Sequence, residues 1–206
     1  MIVPIRLYGD ECLKEEAYDV DLEQGDNIVG LVQDLFDTLN ASGTGVGLAS
    51  TQIGVPLRVF VAKHDGFKSE FINPVILTKS GELESYEEGC LSIPNVGVNV
   101  ERPESIVLTY WVIANYSKGA MPDRIELIQK TEEFSGYIGR IIQHEIDHLN
   151  GICITNKVKG LTKRILQPKL KKIILGKTQY RYPTLHKTNP NYKGISEEII
   201  NKYIKE

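Results

Sequence analysis

No run of about 18 consecutive apolar residues occurs anywhere in the 206-residue chain, so a membrane-spanning helix is not expected. The opening residues, Met1 to Asp10, lack the basic stretch and apolar run of a secretory leader. Cysteine is scarce. Cys12, Cys90 and Cys153 are an odd number in a chain long enough to bury a core unaided, which argues against a disulfide framework and favours a reducing, cytoplasmic setting. Internal repeats and low-complexity segments are also missing, which excludes solenoid and fibrous architectures.

What is present is the composition of a folded domain, with 41% hydrophobic and 25% charged residues. The net charge of −3 conceals an asymmetry. From Lys157 to Glu206 there are 13 Lys and Arg against three Asp and Glu, a balance of +10, which leaves −13 for the residues before it. Such a chain is an acidic body with a basic end, suited either to an anionic partner or simply to solvation.

Hydrophobic spacing from Asp26 to Asn40 (Ile28, Leu31, Val32, Leu35, Phe36, Leu39) predicts an amphipathic helix, with Asp26 as its N-cap and Gly43 as its stop. Ser42 to Gly47 is too rich in glycine for regular structure, and a strand is expected over Leu57 to Ala62. Strands are also expected over Phe71–Leu77, Ser105–Ile113 and Ile125–Gln129, which are rich in β-branched and aromatic residues. Phe134 to Leu149 reads as a central helix, apolar on most sides, with Gly151 just beyond its end. Lys157 to Lys177 reads as a basic amphipathic helix interrupted at Pro168.

The central helix contains His144-Glu-Ile-Asp-His148. Histidines at i and i+4 share one helical face and can bind one metal ion, while Glu145 between them can serve as general base toward a water activated by that ion. Two hydrogen-bonded core histidines are the alternative reading. A catalytic metal needs a third protein ligand. Neither a histidine nor a carboxylate follows His148 closely, the next acidic residue being Glu197. Cys90, in Glu88-Gly-Cys-Leu-Ser92, offers a thiolate beside a glycine that permits close backbone approach, unless it is simply a small buried apolar residue.

Gly45-Val-Gly-Leu-Ala-Ser-Thr-Gln52, Glu88-Gly-Cys-Leu-Ser92 and Gln143-His-Glu-Ile-Asp-His148 resemble, in order and spacing, the three motifs of peptide deformylases, over about residues 1 to 155. The resemblance implies an α+β fold with mixed or antiparallel sheets around a central HExxH helix, flanked by an N-terminal and a C-terminal helix. It implies removal of the N-formyl group from N-formylmethionyl nascent peptides in the cytoplasm, with one ion per chain, Fe²⁺ or a Zn²⁺, Ni²⁺ or Co²⁺ substitute, held by Cys90, His144 and His148. Glu145 is then the general base, and the Gln52 side chain and the Leu91 N–H are the oxyanion donors. Gly47 pairs with the substrate main chain, and Val46, Tyr137 and Ile141 wall the methionine pocket. The same resemblance makes the basic C-terminal segment a candidate for docking on the ribosome, and no membrane partner is implied.

Three features depart from the family pattern. Ser50 and Thr51 replace the usual alanine and proline, Gly97 stands in place of a larger and often basic residue, and Ala114 to Pro122 is longer than the usual hairpin turn. The chain is read as a catalytic domain over 1–176, with its motif core at 45–151 and the basic helix at about 157–176, followed by an extension over 177–206. Two other functions remain: an HExxH zinc peptidase or amidase of different specificity, which needs no cysteine ligand, and a ribosome- or RNA-binding module built on the basic tail.

Overall fold

The structure is a computed structural model and describes residues 1–23, 26–114, 125–186 and 202–204. A short strand, β1 (Ile5–Arg6), precedes helix α1 (Asp26–Ala41). Strands β2 (Gly47–Ala49), β3 (Val59–His64), β4 (Phe67–Cys90), β5 (Ile93–Ile113) and β6 (Leu127–Ser135) follow. They form one antiparallel sheet in chain order. Helices α2 (Gly136–Leu149), α3 (Ile154–Lys157) and α4 (Gly160–Ile174) come next, and β7 (Thr184–Leu185) pairs in parallel with β1. The fold is thus α+β, as the sequence implies. Among the described residues no helix is long and apolar enough to cross a membrane.

Two antiparallel strands of 24 and 21 residues dominate the architecture. Only the apolar stretches Phe71–Leu77 and Ser105–Ile113 announce strands in the sequence. The intervening halves are polar on one face and are recruited by pairing: Glu84↔Arg102, Tyr86↔Val100 and Glu88↔Val98. On β5 the period of two is maintained through Val96, Val98, Val100, Ile106, Leu108, Tyr110 and Val112, all buried, while the alternating residues are more exposed. Register shifts at four places along the pair let it bend between separate cores.

Three apolar clusters result. α1 packs Leu31, Val32, Leu35 and Leu39 against Leu48, Val59 and Val61. α2 packs Ile141, Ile142, Ile146 and Leu149 against the aromatic group Phe60, Phe71, Tyr110 and Phe134. The far end of β5 packs Ile93, Val96, Val98 and Val100 under Leu166, Leu170 and Ile173 of α4. β4 and β5 cross from the second cluster to the third, and Cys90 ends β4 at that junction.

Several boundaries differ from expectation. Gly47 already belongs to β2, because it pairs with Ala62 despite its glycine-rich neighbourhood. Phe134 does not start the central helix. It lies in β6 opposite Ile106, and Gly136, with φ of +56°, turns the chain from strand into helix. α4 is shorter than Lys157–Lys177, since Val158 is extended, and it runs unbroken through Pro168. Pro168 and Arg164, whose carbonyl loses its partner, are both exposed, so water can replace that bond. The side chain of Asp26 and all but the first residue of Ala114 to Pro122 lie outside the described residues, as does most of the extension over 177–206 beyond His186.

Candidate active site

Cys90 comes from the end of β4, and His144 and His148 come from successive turns of α2. One ligand atom from each lies within 4.8 Å of the others. The Cys90 Sγ is 3.2 Å from the His148 Nε2, and the two imidazole rings are 5.0 Å apart. A thiol and two imidazoles converging in this way fit a tetrahedral ion with one position open.

The orientation of His144 is set by Glu88, two residues before Cys90 on the same strand. The Glu88 Oε2 is 3.0 Å from the His144 Nδ1, which turns the other ring nitrogen toward Cys90. Glu88 is itself gripped by two buried arginines. Arg102 donates to it through Nε (2.6 Å) and Nη2 (2.8 Å), and Arg140 through Nη1 (2.8 Å). Arg102 also donates to Asp147 at 2.8 Å, and Lys157 closes the chain of charges on Asp147 at 2.9 Å.

Burial opposes the charge on Glu88, yet hydrogen bonds from Arg102 and His144 hold its carboxyl down at about 2. Burial likewise opposes a charged His144, but without a metal its contacts with Cys90 and Glu88 outweigh that and raise it to about 10, so a metal bound there would displace this proton. Among the described residues the His148 Nδ1 has no hydrogen-bond partner. Burial, aided by repulsion from His144 and Arg102, pushes it well below the usual range and leaves it the neutral imidazole that binds metals.

Glu145 is buried beside these three groups, and burial raises its carboxyl to about 7 against the attraction of His144 and Arg102. Among the described residues its Oε2 has no hydrogen-bond partner. A Cβ on Gly47 would stand 2.3 Å from the Glu145 Oε1, so any side chain at position 47 must displace the carboxylate. Gly47 therefore has a steric reason to be glycine that the resemblance alone does not supply.

Gln52 sits on a 3₁₀ turn, Ser50–Ile53. Its Oε1 accepts the Ala49 N–H at 2.9 Å, and its Nε2 donates to the Ser92 Oγ at 3.1 Å and lies 3.7 Å from the Cys90 Sγ. The departures Ser50 and Thr51 strengthen this turn. The Ser50 hydroxyl donates to the Leu57 carbonyl, and the Thr51 hydroxyl to the His148 carbonyl at 3.3 Å. At the second departure, Gly97, the Glu87 carboxylate occupies the space a side chain would need, 2.1 Å from an added Cβ.

One cleft of about 2110 Å³ exposes Cys90, His144, Glu145, Gln52 and Leu91, and also Val46, Gly47, Tyr137 and Ile141. His148 is buried behind it. Tyr137 is half-exposed and stacks edge-on with His64 at 4.6 Å, which puts it at the rim, whereas Ile141 is buried deeper. Sequence reasoning missed Arg102 and Arg140. Arg102 falls in phase with the buried Val96, Val98 and Val100, and Arg140 stands one turn before His144 on its helix face; a cation in either place signals a buried anion nearby.

A family model described as polypeptide deformylase matches residues 2–164. The peptide deformylase of Flavobacterium johnsoniae is 35% identical over 199 residues, covering 88% of this chain and 94% of that protein. That of Pseudothermotoga lettingae is 37% identical over 174 residues, covering 84% and 93%. Among solved structures, peptide deformylase from Thermus thermophilus superposes with a TM-score of 0.71 at 32% identity, covering 86% of this chain and 100% of that one. The enzyme from Thermotoga maritima gives 0.65 at 34%, covering 78% and 99%.

Proposed function

The chain belongs to the polypeptide deformylase family, and from that premise we propose that Cys90, His144 and His148 hold its metal ion and that Glu145, Gln52 and Leu91 carry out its chemistry. It is a metal-dependent hydrolase that removes the N-formyl group from the N-terminal formylmethionine of newly synthesised polypeptides. The observation that supports the site assignment is the convergence of one thiol and two imidazoles on a single point, beside a buried carboxylate and a side-chain amide. An HExxH peptidase of another kind would have no use for Cys90 there.

When bound, the ion supplies Lewis acidity that makes water easier to deprotonate and polarises the formyl carbonyl. Glu145, desolvated and near neutrality, accepts the proton from the attacking water and later returns it to the departing amine. The Gln52 Nε2 and the Leu91 N–H hold the negative charge that develops on the carbonyl oxygen. Gly47 offers its main chain to the substrate, while Val46, Ile141 and, at the rim, Tyr137 receive the methionine side chain.

Fe²⁺ is the ion we assign, with Zn²⁺, Ni²⁺ and Co²⁺ as substitutes, since a thiolate with two imidazoles suits these metals. Anaerobically purified protein should carry one equivalent of iron and hydrolyse formyl-Met-Ala. Cys90→Ala should lose both, and air should inactivate the iron form faster than a nickel-substituted one. Iron retained by Cys90→Ala, or equal decay of the two forms in air, would overturn the assignment.

Residues 1–176 are proposed as the catalytic unit and 177–206 as an extension, working in the cytoplasm where formylated chains emerge. Ribosome association is proposed through α4. Leu166, Leu170 and Ile173 face inward, leaving Lys169, Lys171 and Lys172 exposed. Changing these three lysines to glutamine should reduce co-sedimentation with ribosomes at low salt and leave hydrolysis of a free peptide unchanged. Undiminished co-sedimentation would discard the role.

A further inference from the structure

One stretch of the cleft's lining has no part in the chemistry above. Thr178–Tyr182, from the extension that follows α4, borders the same cavity as Cys90, Gly47 and Glu145. It is held there by contacts along its length. The Asn95 Nδ2 donates to the Gln179 carbonyl at 3.1 Å, and the Tyr182 hydroxyl donates to the Leu91 carbonyl at 2.6 Å. Immediately beyond, the Ile5 N–H donates to the Pro183 carbonyl at 3.0 Å, and β7 locks onto β1.

The packing agrees. Tyr182 joins the cluster that includes Leu91, and Tyr180 joins the one that includes Cys90. The two rings lie 6.4 Å apart. Between these anchors Tyr180 is half-buried and Arg181 is exposed, and both border the cavity.

At about 2110 Å³ the cavity exceeds the roughly 300–1,000 Å³ usual for a small-molecule site, so a single formylated residue leaves much of it unfilled. We propose that Thr178–Tyr182 is a wall of the subsites for the third and fourth residues of the substrate peptide, with Tyr180 packing on the extended peptide and Arg181 donating to its carbonyl groups. Tyr182 is the anchor that fixes this wall to the Leu91 turn. The inference rests on the cleft being the deformylase site.

The test compares formyl-Met-Ala with formyl-Met-Ala-Ser-Ala as substrates of the full chain and of a Tyr180→Ala, Arg181→Ala double variant. The variant's kcat/KM on the tetrapeptide should fall about tenfold, mainly through KM, while its value on the dipeptide stays within about twofold and metal content is unchanged. Arg181→Ala alone, which removes an exposed side chain without disturbing packing, should move the tetrapeptide value in the same direction. Equal loss on both substrates, or none on either, overturns the wall. A parent chain inert toward both would overturn the deformylase assignment of the cleft and this inference with it.

Discussion

Glu145→Gln is expected to keep its metal and to hydrolyse formylmethionyl peptides about 10² to 10⁴ times more slowly than the parent chain, the usual contribution of a positioned acid–base group. The substitution is nearly isosteric. Oε1 lies against the Gly47 main chain, and an amide oxygen can take its place. What disappears is the basic atom. The carboxylate is desolvated until its affinity for a proton lies near neutrality, while an amide accepts none at any working pH. None of the three proposed ligands is altered, so metal analysis should match the parent. The loss should appear in kcat more than in KM, since the proton moves only on the way to the transition state. A variant with full metal and near-parental kcat would place the base elsewhere.

Glu88→Ala should be the most destabilising single change near the site, costing roughly 3–5 kcal/mol, because it leaves Arg102 and Arg140 buried without their shared anion. For a chain of this size that is a fall in Tm of about 10 °C. Metal affinity should drop roughly 10- to 100-fold as well, because His144 loses the group that orients its ring. The pH dependence has a definite sign. The Glu88 carboxyl is held at about 2, below its ordinary value of 4.5. Its contribution is therefore complete above the ordinary value and is lost as pH falls toward 2, where parent and variant should converge in stability. Thermal melts from neutral pH to pH 2, with metal titrations at neutral pH, would check both. Equal Tm and equal affinity at neutral pH would show that the network is dispensable.

The parts of this molecule legible in the sequence are those where one residue type or one period fixes the answer locally. α1 announces itself through an unbroken helical stripe, and the paired histidines of α2 place two proposed ligands on one face without any tertiary knowledge. Cys90 was a candidate third ligand by residue type alone, but only the family resemblance singled it out, because 53 residues and three changes of direction separate it from His144. The second half of β4 and the first half of β5, which pair with each other, were not legible. A stretch such as Ser80 to Gly89 has no apolar alternation, and its strand state is imposed by the partner it pairs with. Pro168 misled in the opposite direction, because the rule against proline in helices assumes that the orphaned carbonyl is buried. The wall at Thr178–Tyr182 has no local signature at all, since its position depends on where α4 ends and on the pairing of β7 with β1.

β4 delivers two groups to α2, Glu88 to orient one histidine and Cys90 to join both, and it can do so because positions two apart point the same way. Parity along that strand is therefore a constraint on evolution. Inserting or deleting one residue between Gly81 and Glu88 would present Glu87 and Gly89 to the helix instead, unless another bulge absorbed the change. Gaining or losing two residues would keep the face but slide both groups by about 7 Å along the strand, beyond the 4.8 Å within which the three ligand atoms meet. The polar half of the hairpin is thus constrained in length as well as in face, although its own side chains carry no apolar pattern.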